Sequence, residues 1–400
     1  MKKTDIAETL YISMDGIMEP LGYSQVFKYL EKLSEHHKIN LVTLEKNNDL
    51  QKTDALTLLL QQCSKNNITW YRCKYRNGWF GLGQLINVFN LIALPIYIFL
   101  TKKISLIHIR SYMPGIAIPL LSSFFKFKLI FDIRGFWADE KHDRLNWRKD
   151  YYKYRFFKEL ERYLMRKADF IVTLTAASQQ IISNNFAKPE SMIQVIPTCV
   201  DCNEFARIEG EESSAAIKIG YLGSVDTAYD FHKFCFLLSQ IIDKYEKNLE
   251  FRVFSNQKRE VIEAILSTQN INVSKLEVGF VDRANLSKEL SKLDFLGFCL
   301  KENFSIQASM PTKIAEALAC GIPIICNAFN SDIKGLIEDN RIGLIYSFEE
   351  SFDEKYFKSL SEIILDHGTA DRCINIAKSY FSLEKGSTMY HAIYSELEAR

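Results

Sequence analysis

Residues 304–327 read FSIQASMPTKIAEALACGIPIICN, and this stretch sets the clearest helix and strand limits in the chain. Ser309 or Met310 can cap a helix whose first turn contains Pro311, a position where proline is preferred. The glycine and proline of the CGIP sequence end that helix before a β-branched run that is typical of a buried strand. The stretch therefore predicts a helix that leads into a parallel strand, which is half of a βαβ unit.

The same alternation of short apolar runs and helical patterns extends along the whole chain. In the first half, strands are predicted at 9–13, 39–44, 106–110, 129–133, 170–174 and 193–196. In the second half, they are predicted at 217–222, 249–254, 276–280, 295–300, 322–326 and 342–346. The first helix is predicted over 24–35, because its apolar residues recur at intervals of three and four. The pattern indicates an α/β protein with two doubly wound parallel sheets.

The length of 400 residues favours about two domains, since a single core rarely serves so long a chain. We predict an N-terminal domain over 1–200, a linker over 201–216, a C-terminal domain over 217–379 and a terminal helix over 380–400. The linker is predicted there because 209–214 hold only glutamate, glycine and serine. The terminal helix follows a sheet that should already be complete, so we expect it to cross back to the first domain.

The composition is that of an ordinary globular protein, with 47% hydrophobic and 25% charged residues, which excludes disorder, collagen and coiled coil. The nine cysteines are odd in number and scattered, and the opening residues lack the apolar core of a signal peptide. We therefore expect a cytoplasmic protein. The CVDC sequence at 199–202 lacks the second ligand pair of a metal site, and no metal is expected there.

The charges are divided unequally between the two halves. The whole chain has a net charge of +1, but residues 1–200 hold 28 Lys+Arg against 18 Asp+Glu and residues 201–400 hold 22 against 31. No acidic residue occurs between Asp54 and Asp132, where nine basic residues do. Such a stretch predicts an anionic partner in the first half. Nucleic acid is not expected, because the basic residues lack the interleaved stacking aromatics of a recognisable module.

One segment, 77–101, carries no charge at all. It can be a buried helix that precedes a strand, a helix that lies partly in a bilayer surface, or a membrane span. The span is disfavoured because the apolar part is shorter than about 20 residues and contains Asn87, Asn90 and Pro95. The interfacial alternative is favoured by the flanks, which carry Lys74, Arg76, Trp79 and Phe80 on one side and Lys102 and Lys103 on the other.

Two segments could bind phosphate through a helix N-terminus. The first is the glycine-punctuated loop at 15–24, which includes Gly22 but matches neither a dinucleotide-binding nor a P-loop motif. The second is the helix after Pro311, in which Lys313 and Glu316 are three residues apart and share a face. A phosphate could use that N-terminus and Lys313, while Glu316 could accept hydrogen bonds from ribose hydroxyls or could equally be a surface residue favoured by the helix dipole.

The run PTK at 311–313, with Glu316, ACG at 319–321 and PII at 323–325, resembles the donor-binding segment of the retaining family 4 glycosyltransferases. Other stretches agree in order: VIPTCVD at 195–201, IGYLG at 219–223, GFV at 279–281, YISMDG at 11–16, PLGYSQV at 20–26 and FDIRGFWADE at 131–140. The last three are similar to bacterial surface-polysaccharide members. The resemblance spans nearly the whole chain. It implies a GT-B fold, in which two Rossmann-like domains face each other across a cleft.

The resemblance indicates which residues form the site, together with position: Arg110, Arg134, Asp139 and Glu140 lie at or just after strand C-termini, where doubly wound folds place their sites. The donor-binding residues expected on this basis are Gly22, Gly223, Ser224, Phe280, Val281, Thr312, Lys313 and Glu316. The expected catalytic residues are Arg134, Asp139 and Glu140, of which Arg134 would orient donor or acceptor, unless it forms an ion pair with Asp132 or Asp139 instead. The expected acceptor-binding residues are Asp15 and Arg110.

The chain departs from the family pattern at two places. The first glutamate of the family's E-x7-E motif falls at Ala308, and the Arg and Lys that usually hold the donor diphosphate after Gly223 are missing. Lys313, Lys301 and the helix N-terminus are the expected replacements. No D-x-D triplet occurs in the chain, so metal-dependent transfer is disfavoured and no cofactor is expected.

The predicted function is transfer of a sugar from a nucleotide-diphosphate sugar to a growing glycan, with retention of configuration. The acceptor is expected to be lipid-linked and the protein peripheral on the inner face of the plasma membrane, because each basic residue near an anionic leaflet contributes about 1 kcal/mol. Two alternatives remain: a sugar-nucleotide epimerase of the same fold, and a non-catalytic partner subunit of that fold.

Overall fold

The computed structural model describes residues 8–77, 81–208, 216–225, 228–245, 249–271, 273–350 and 352–400. The chain divides into two compact units. The first unit comprises Met1–Pro197 together with Leu383–Arg400, and the second comprises Thr198–Ser382. The division thus falls three residues before the domain boundary predicted from the sequence. Most of the predicted linker, 209–215, lies outside the described residues.

The strands all belong to parallel sheets. In chain order they are β1 (Glu8–Ser13), β2 (Ile39–Glu45), β3 (Ile68–Lys74), β4 (Ile104–Arg110), β5 (Lys128–Asp132), β6 (Phe170–Thr173), β7 (Ile193–Val195), β8 (Ile217–Leu222), β9 (Leu249–Phe254), β10 (Lys275–Gly279), β11 (Phe295–Gly297), β12 (Ile324–Asn327) and β13 (Gly343–Tyr346). Within the described residues the first unit has the order β3-β2-β1-β4-β5-β6-β7, and the second has β10-β9-β8-β11-β12-β13. Both are doubly wound, as predicted.

Helices connect these strands. They are α1 (Pro20–Gly22), α2 (Lys28–Leu33), α3 (Asn47–Leu50), α4 (Thr53–Lys65), α5 (Leu82–Thr101), α6 (Ile118–Phe124), α7 (Trp137–Leu145), α8 (Tyr152–Lys167), α9 (Ala176–Phe186), α10 (Phe231–Tyr245), α11 (Arg259–Thr268), α12 (Arg283–Leu290), α13 (Thr312–Ala319), α14 (Ser331–Asn340), α15 (Glu354–Leu365), α16 (Thr369–Tyr380) and α17 (Leu383–Ala399). The helix predicted over 24–35 begins earlier, at Pro20, and contains a π-helical turn, Tyr23–Phe27.

The central strands β1 and β2 are buried on both faces, and polar residues in them, such as Glu8 and Asn40, hydrogen-bond to each other. Every residue of β1 and β2 is buried. β3, in contrast, is an edge strand in which only alternate residues such as Ile68 and Trp70 are buried. The sequence prediction missed β3 because polar and basic residues fill its exposed positions.

The terminal helix α17 packs on α2 and β4 of the first unit. Its buried side chains, Leu383, Tyr390, Ile393, Tyr394 and Leu397, recur at helical spacing. The return of the last helix to the first unit therefore agrees with the expectation from the sequence.

Candidate functional site

The backbone of the second unit turns sharply where β8 ends. Gly223 has a φ of +131° there, a conformation that residues with side chains rarely adopt. A Cβ atom at this position would also lie 2.8 Å from Nζ of Lys313. The glycine therefore permits the turn and leaves the lysine ammonium next to the surface of that turn.

A pocket of about 350 Å³ opens beside this turn at the carboxyl ends of β8, β9 and β10. Its lining residues are Leu222, Gly223, Ser224, Phe254, Ser255, Asn256, Gln257, Phe280 and Val281. Gly223, Ser224, Phe280 and Val281 were predicted from two distant segments of the sequence, and the structure brings them together here. The Phe280 ring is 69% exposed and can stack on a planar ligand. Doubly wound sheets bind their ligands at this edge.

Lys313 lies beneath the turn in a cage of aromatic rings. Its ammonium donates a hydrogen bond to the Leu222 carbonyl oxygen and lies 3.5 Å from the ring centroid of Tyr229. The rings of Tyr221 and Phe298 are at 5.4 and 5.0 Å. Cation–π contacts of this kind stabilise an ammonium group that water no longer reaches.

The charge of Lys313 is nevertheless costly. Burial lowers its pKa to about 7, and the nearby Glu316 carboxylate offsets only part of that effect. At neutral pH the lysine is therefore close to its titration midpoint. An anion bound at the Gly223 turn would favour the protonated form, because opposite charges nearby raise a lysine pKa.

Glu316 is buried and ion-paired. Arg283 Nη1 lies 3.0 Å from Oε1 of Glu316, and Arg283 Nε lies 2.8 Å from Oε1 of Glu204. Burial raises the pKa of Glu316, while Arg283 opposes that rise. The guanidinium also stacks over the Phe205 ring at 4.9 Å. The interpretation of Glu316 as a surface residue is therefore wrong.

Arg283 is the residue that sequence reasoning missed. It opens α12, one residue after Asp282, whose side chain caps that helix. The only signal in the sequence is its position just after the GFVD segment, and a lone arginine at a helix start does not reveal a partner 33 residues away. Only the packing of α12 against α13 makes the pair visible.

The start of α13 differs slightly from the prediction. Pro311 itself is the N-cap residue, with φ −62° and ψ 130°, so neither Ser309 nor Met310 caps the helix. Thr312 is the first helical residue and is half-buried. Lys301, a predicted replacement for the missing cations, is exposed after β11. Its neighbour Glu302 accepts a hydrogen bond from Asn327 at 3.1 Å.

Position 308 is fully buried alanine in a 3-10 turn, Phe304–Ala308. The side chain at 308 is thus part of the core. Glu302 is the exposed carboxylate that precedes this turn, at the carboxyl edge of the sheet. It is a candidate for the missing first glutamate.

In the first unit, β1 and β4 are neighbours from which the connections run in opposite directions. This is the topological switch point, where doubly wound sheets bind ligands. Arg110 is the last residue of β4, and its Nε lies 3.5 Å from Oδ2 of Asp15 in the loop after β1. The structure therefore brings the two predicted acceptor-binding residues together at this point.

Asp132, at the end of β5, is the centre of a buried polar cluster. Its Oδ2 accepts hydrogen bonds from Arg110 Nη1 at 3.3 Å and from the Tyr390 hydroxyl at 3.0 Å. Oδ2 is also 3.9 Å from His108 Nε2, and Oδ1 is 3.8 Å from Arg134 Nη1.

The electrostatics of this cluster favour an ionised Asp132. Burial raises the pKa of Asp132, but Arg134, His108 and Arg110 together outweigh it and bring the pKa to about 2. Burial lowers the pKa of His108, and the Asp132 carboxylate offsets only part of that effect. The cluster is therefore a preorganised set of charges at the carboxyl edge of the sheet.

Arg134 adopts a left-handed backbone with a φ of +54°, and Ser111 after the neighbouring strand has a φ of +67°. Such conformations cost of order 1–3 kcal/mol each and cluster at functional sites. Arg134 also forms an ion pair with Asp132, which was the alternative to its predicted role of orienting donor or acceptor. This ion pair holds the guanidinium at the carboxyl edge of the sheet, where a bound substrate would lie.

The other two predicted catalytic residues are engaged elsewhere. Asp139 is buried and accepts hydrogen bonds from Tyr154 at 2.8 Å and Lys158 at 2.9 Å. Glu140 lies on α7 with its side chain paired to Arg144 one turn later. Neither forms an ion pair with Arg134 among the described residues. The contacts of Asp139 assign it to the packing of α7 on α8, and those of Glu140 to the surface of α7.

The loop at 15–24 is not an open phosphate cradle. Glu45, at the end of β2, accepts hydrogen bonds from the backbone amides of Ile17 at 2.8 Å and Met18 at 3.2 Å. A Cβ atom on Gly22 would lie 1.9 Å from the Gly16 carbonyl oxygen. The glycine therefore serves a close approach of backbone to backbone, and the loop amides are already bound by a carboxylate of the chain itself.

The helix α5 has two different faces. Its buried residues are Gly83, Asn87, Leu91, Pro95 and Ile98. Its exposed large apolar residues, here called the apolar face of α5, are Leu82, Leu85, Phe89, Tyr97 and Leu100, each more than half exposed. Among the described residues α5 is long and apolar enough to cross a membrane, and 28% of its most apolar 18-residue stretch is buried. The flanking Trp79 and Phe80 lie outside the described residues.

The buried-helix interpretation of α5 therefore holds for one stripe only. Monomeric soluble proteins rarely expose so many large apolar side chains on one helix face.

In the described part of the chain no group of three His, Cys, Asp or Glu side chains could hold a metal ion.

Comparison with known proteins bears on both units. The family model described as Glycosyltransferase Family 4 matches residues 25–204. No curated protein sequence matches the chain.

Among solved structures, the chain is similar to sucrose-phosphate synthase from Thermosynechococcus elongatus, with a TM-score of 0.70, 14% identity, and 98% of this chain and 99% of that chain covered. It is similar to HepE from Anabaena in complex with UDP-glucose, with a TM-score of 0.66, 13% identity, and coverage of 97% and 99%. It is also similar to WaaG, a glycosyltransferase involved in lipopolysaccharide biosynthesis, with a TM-score of 0.66, 12% identity, and coverage of 95% and 99%.

Identities this low establish a common fold, and that fold is GT-B. The match over residues 25–204 makes that part of the chain similar to glycosyltransferase family 4.

Proposed function

We propose that this glycosyltransferase moves a sugar from a nucleotide-diphosphate sugar to a lipid-linked saccharide, with retention of configuration and without a metal ion. The observation that carries the proposal is the pocket at the ends of β8, β9 and β10, with Lys313 beneath its glycine turn. The complex of the similar protein HepE with UDP-glucose supports a nucleotide sugar as donor.

In the proposed mechanism the second unit binds the donor. The diphosphate binds at the Gly223–Ser224 turn, and the base stacks on Phe280. Lys313 then stabilises the charge that develops on the leaving diphosphate, the largest electrostatic demand of the reaction. This residue replaces the cations that the family usually supplies after the glycine.

The first unit contributes the acceptor site in this proposal. Arg110 and Arg134, held by Asp132, bind and orient the acceptor. Retention would follow if the acceptor attacks on the face that the nucleotide leaves. Asp139 and Glu140 have no part in this scheme, because their contacts are those of structural residues.

A thermal-shift panel of UDP-, GDP- and dTDP-sugars tests the donor site. We expect one nucleotide class to raise the melting temperature and Glu316→Ala to abolish that shift. Glu354→Ala, an exposed carboxylate on α15, is the matched control and should keep the shift. An undiminished shift in Glu316→Ala would remove Glu316 from the donor site.

A second candidate is a non-catalytic partner subunit, favoured by the buried alanine at 308 and the missing diphosphate cations. Donor hydrolysis separates the two. The transferase should release free nucleotide slowly from one nucleotide sugar, in EDTA as well as in magnesium. If no nucleotide sugar is hydrolysed and none shifts the melting temperature, the non-catalytic alternative holds.

Peripheral binding to a membrane is part of the proposal. It is supported by the apolar face of α5 and by the cations at both ends of that helix, Lys74, Arg76, Lys102 and Lys103. Co-sedimentation with anionic vesicles tests it. A variant with all four cations replaced by glutamine should lose most of its binding, and equal binding of variant and wild type would refute the membrane role.

A further inference from the structure

A second pocket, of about 490 Å³, lies at the carboxyl ends of β2 and β3 and at the start of α5. We call it the basic pocket, and its lining includes Lys46, Lys74, Arg76, Leu82, Gly83 and Ile86. None of the site residues predicted from the sequence contributes to it. Cations line one side of the pocket, and the first turn of an apolar helix lines the other.

The cations of the basic pocket are largely available to a ligand. Lys46 is paired with Glu19. Lys74 and Arg76 are exposed, and within the described residues no carboxylate forms an ion pair with either of them. This is the part of the chain in which no acidic residue occurs at all. Two uncompensated cations at one pocket attract an anion, and phosphate oxygens suit the guanidinium fork of Arg76.

Two hydrogen bonds connect the basic pocket to α5. The buried side chain of Asn87 accepts a hydrogen bond from the Arg76 backbone amide at 3.0 Å and donates one to the Arg76 carbonyl oxygen at 3.0 Å. Leu82, which lines the pocket, is also the first residue of the apolar face of α5. An anionic group in the pocket would therefore meet an apolar surface at once, and that combination matches a phosphate attached to a lipid chain.

The basic pocket shares its sheet edge with the predicted acceptor residues. In the order β3-β2-β1-β4, the pocket lies at β3 and β2, and the Asp15–Arg110 pair lies at β1 and β4. At about 4.8 Å per strand, two strand spacings separate them, or roughly 10 Å. A short saccharide between the phosphate and the accepting hydroxyl would fill that gap.

We propose that the basic pocket binds the phosphate group of the lipid-linked acceptor, while its lipid chain runs along the apolar face of α5. The inference rests on the proposed function in that it assigns a subsite to the same acceptor. It adds a binding site, formed by Lys74 and Arg76, that distinguishes this lipid from other anionic lipids.

The test compares phosphatidylcholine vesicles that contain polyprenyl diphosphate with vesicles that contain phosphatidylglycerol at equal total charge. Wild type should prefer the diphosphate vesicles, and inorganic diphosphate should compete. The double variant Lys74→Gln, Arg76→Gln should lose that preference by about tenfold or more, since each charge-assisted hydrogen bond to phosphate is a strong one. The matched double variant Lys102→Gln, Lys103→Gln should weaken binding to both vesicles alike and keep the preference.

Two results would overturn the inference: equal binding of wild type to both vesicles, or an unchanged preference in the Lys74, Arg76 double variant. Arg76→Gln alone provides a second measurement if the double variant is unstable. The thermal shift with nucleotide sugar is an independent readout and should persist in every variant. If that shift is absent in wild type, the proposed function fails, whereas lipid preference alone decides the basic pocket.

Discussion

Tyr390, on the last helix of the chain, donates a hydrogen bond of 3.0 Å to Asp132 at the end of β5, 258 residues earlier. Its neighbour Tyr394 lies 2.8 Å from Nδ1 of His108 in the same buried cluster. The terminal helix therefore does more than cover the sheet of the first unit. It supplies hydroxyl groups that hold the charges at the switch point in place.

Replacing Tyr390 by phenylalanine should destabilise the first unit. The change leaves the buried Asp132 carboxylate without one donor, and such a loss costs about 1–3 kcal/mol. Urea denaturation measures the free energy of unfolding. Tyr97→Phe, at an exposed position on α5, should change it little. Equal stability of Tyr390→Phe and wild type would mean that this hydrogen bond contributes nothing.

Replacing Gly223 by alanine should abolish donor binding. The new Cβ atom would lie 2.8 Å from Lys313 Nζ, and the φ of +131° would be strained at a cost of order 1–3 kcal/mol. Calorimetric titration with the nucleotide found in the thermal-shift panel measures the loss. Gly335→Ala, within α14 and with only an ordinary contact at 3.7 Å, is the control and should bind the nucleotide as wild type does. Wild-type affinity in Gly223→Ala would place the diphosphate elsewhere.

Nucleotide binding should weaken as the pH rises through about 7. Because burial lowers the pKa of Lys313 to about 7, the free protein loses this proton near neutrality, while a bound diphosphate stabilises the protonated form. Binding at pH 8 should therefore take up a proton, which calorimetry in buffers of different ionisation enthalpy detects. In Lys313→Met the proton uptake should disappear. Uptake that persists in that variant would have to come from another group.

The lowered pKa of Lys313 has the opposite effect on the stability of the ligand-free protein, which should increase as the pH rises. The unfolded chain keeps its Lys313 proton up to the ordinary value of 10.5, whereas the folded chain releases it near 7. The unfolded state thus binds more protons in this window, and the Lys313 contribution to the free energy of unfolding should rise with pH. In Lys313→Met that rise should be reduced, and an unchanged pH profile would contradict the lowered pKa.

Replacing Arg283 by alanine should destabilise the second unit by about 1–3 kcal/mol, because the buried Glu316 loses its partner. The pKa of Glu316, already raised by burial, should rise further. Arg259→Ala removes an exposed ion pair with Glu263 on α11 and should have little effect on the unfolding free energy. If the two variants were equally stable, the Glu204–Arg283–Glu316 cluster would have no structural role.

Acid should loosen the docking of α17 through a histidine pair. His37 Nε2 lies 2.9 Å from His391 Nδ1, and His37 Nδ1 lies 3.0 Å from Glu398. Burial lowers the pKa of His37 and the neighbouring histidines lower it further, although Glu398 opposes them. The unfolded state therefore binds the proton first, and stability should fall as the pH drops below about 6.5. In His37→Gln this part of the acid dependence of the urea midpoint should be smaller, and an identical dependence would exclude His37.

Much of the fold follows from local pattern in the sequence. Short runs rich in aliphatic and aromatic residues predict strands, and the runs 217–222 and 249–254 could be predicted to the residue. The edge strand β3 escaped prediction because only one of its faces is covered. Gly223, Ser224, Phe280 and Val281 were predicted from the resemblance of two segments to family 4 glycosyltransferases, and the structure brings them together at one edge of the same sheet.

The sequence by itself therefore determined the two α/β units and the charge division. Only the tertiary structure decided that Glu45 binds the amides of the first loop, that Arg283 pairs with Glu316, that Asp139 joins a buried network and that Lys74 and Arg76 share a pocket with α5. The physical reason is the distance along the chain over which each interaction acts. Periodicity and capping act over a few residues, whereas a buried ion pair or a pocket joins side chains from elements that only packing brings together.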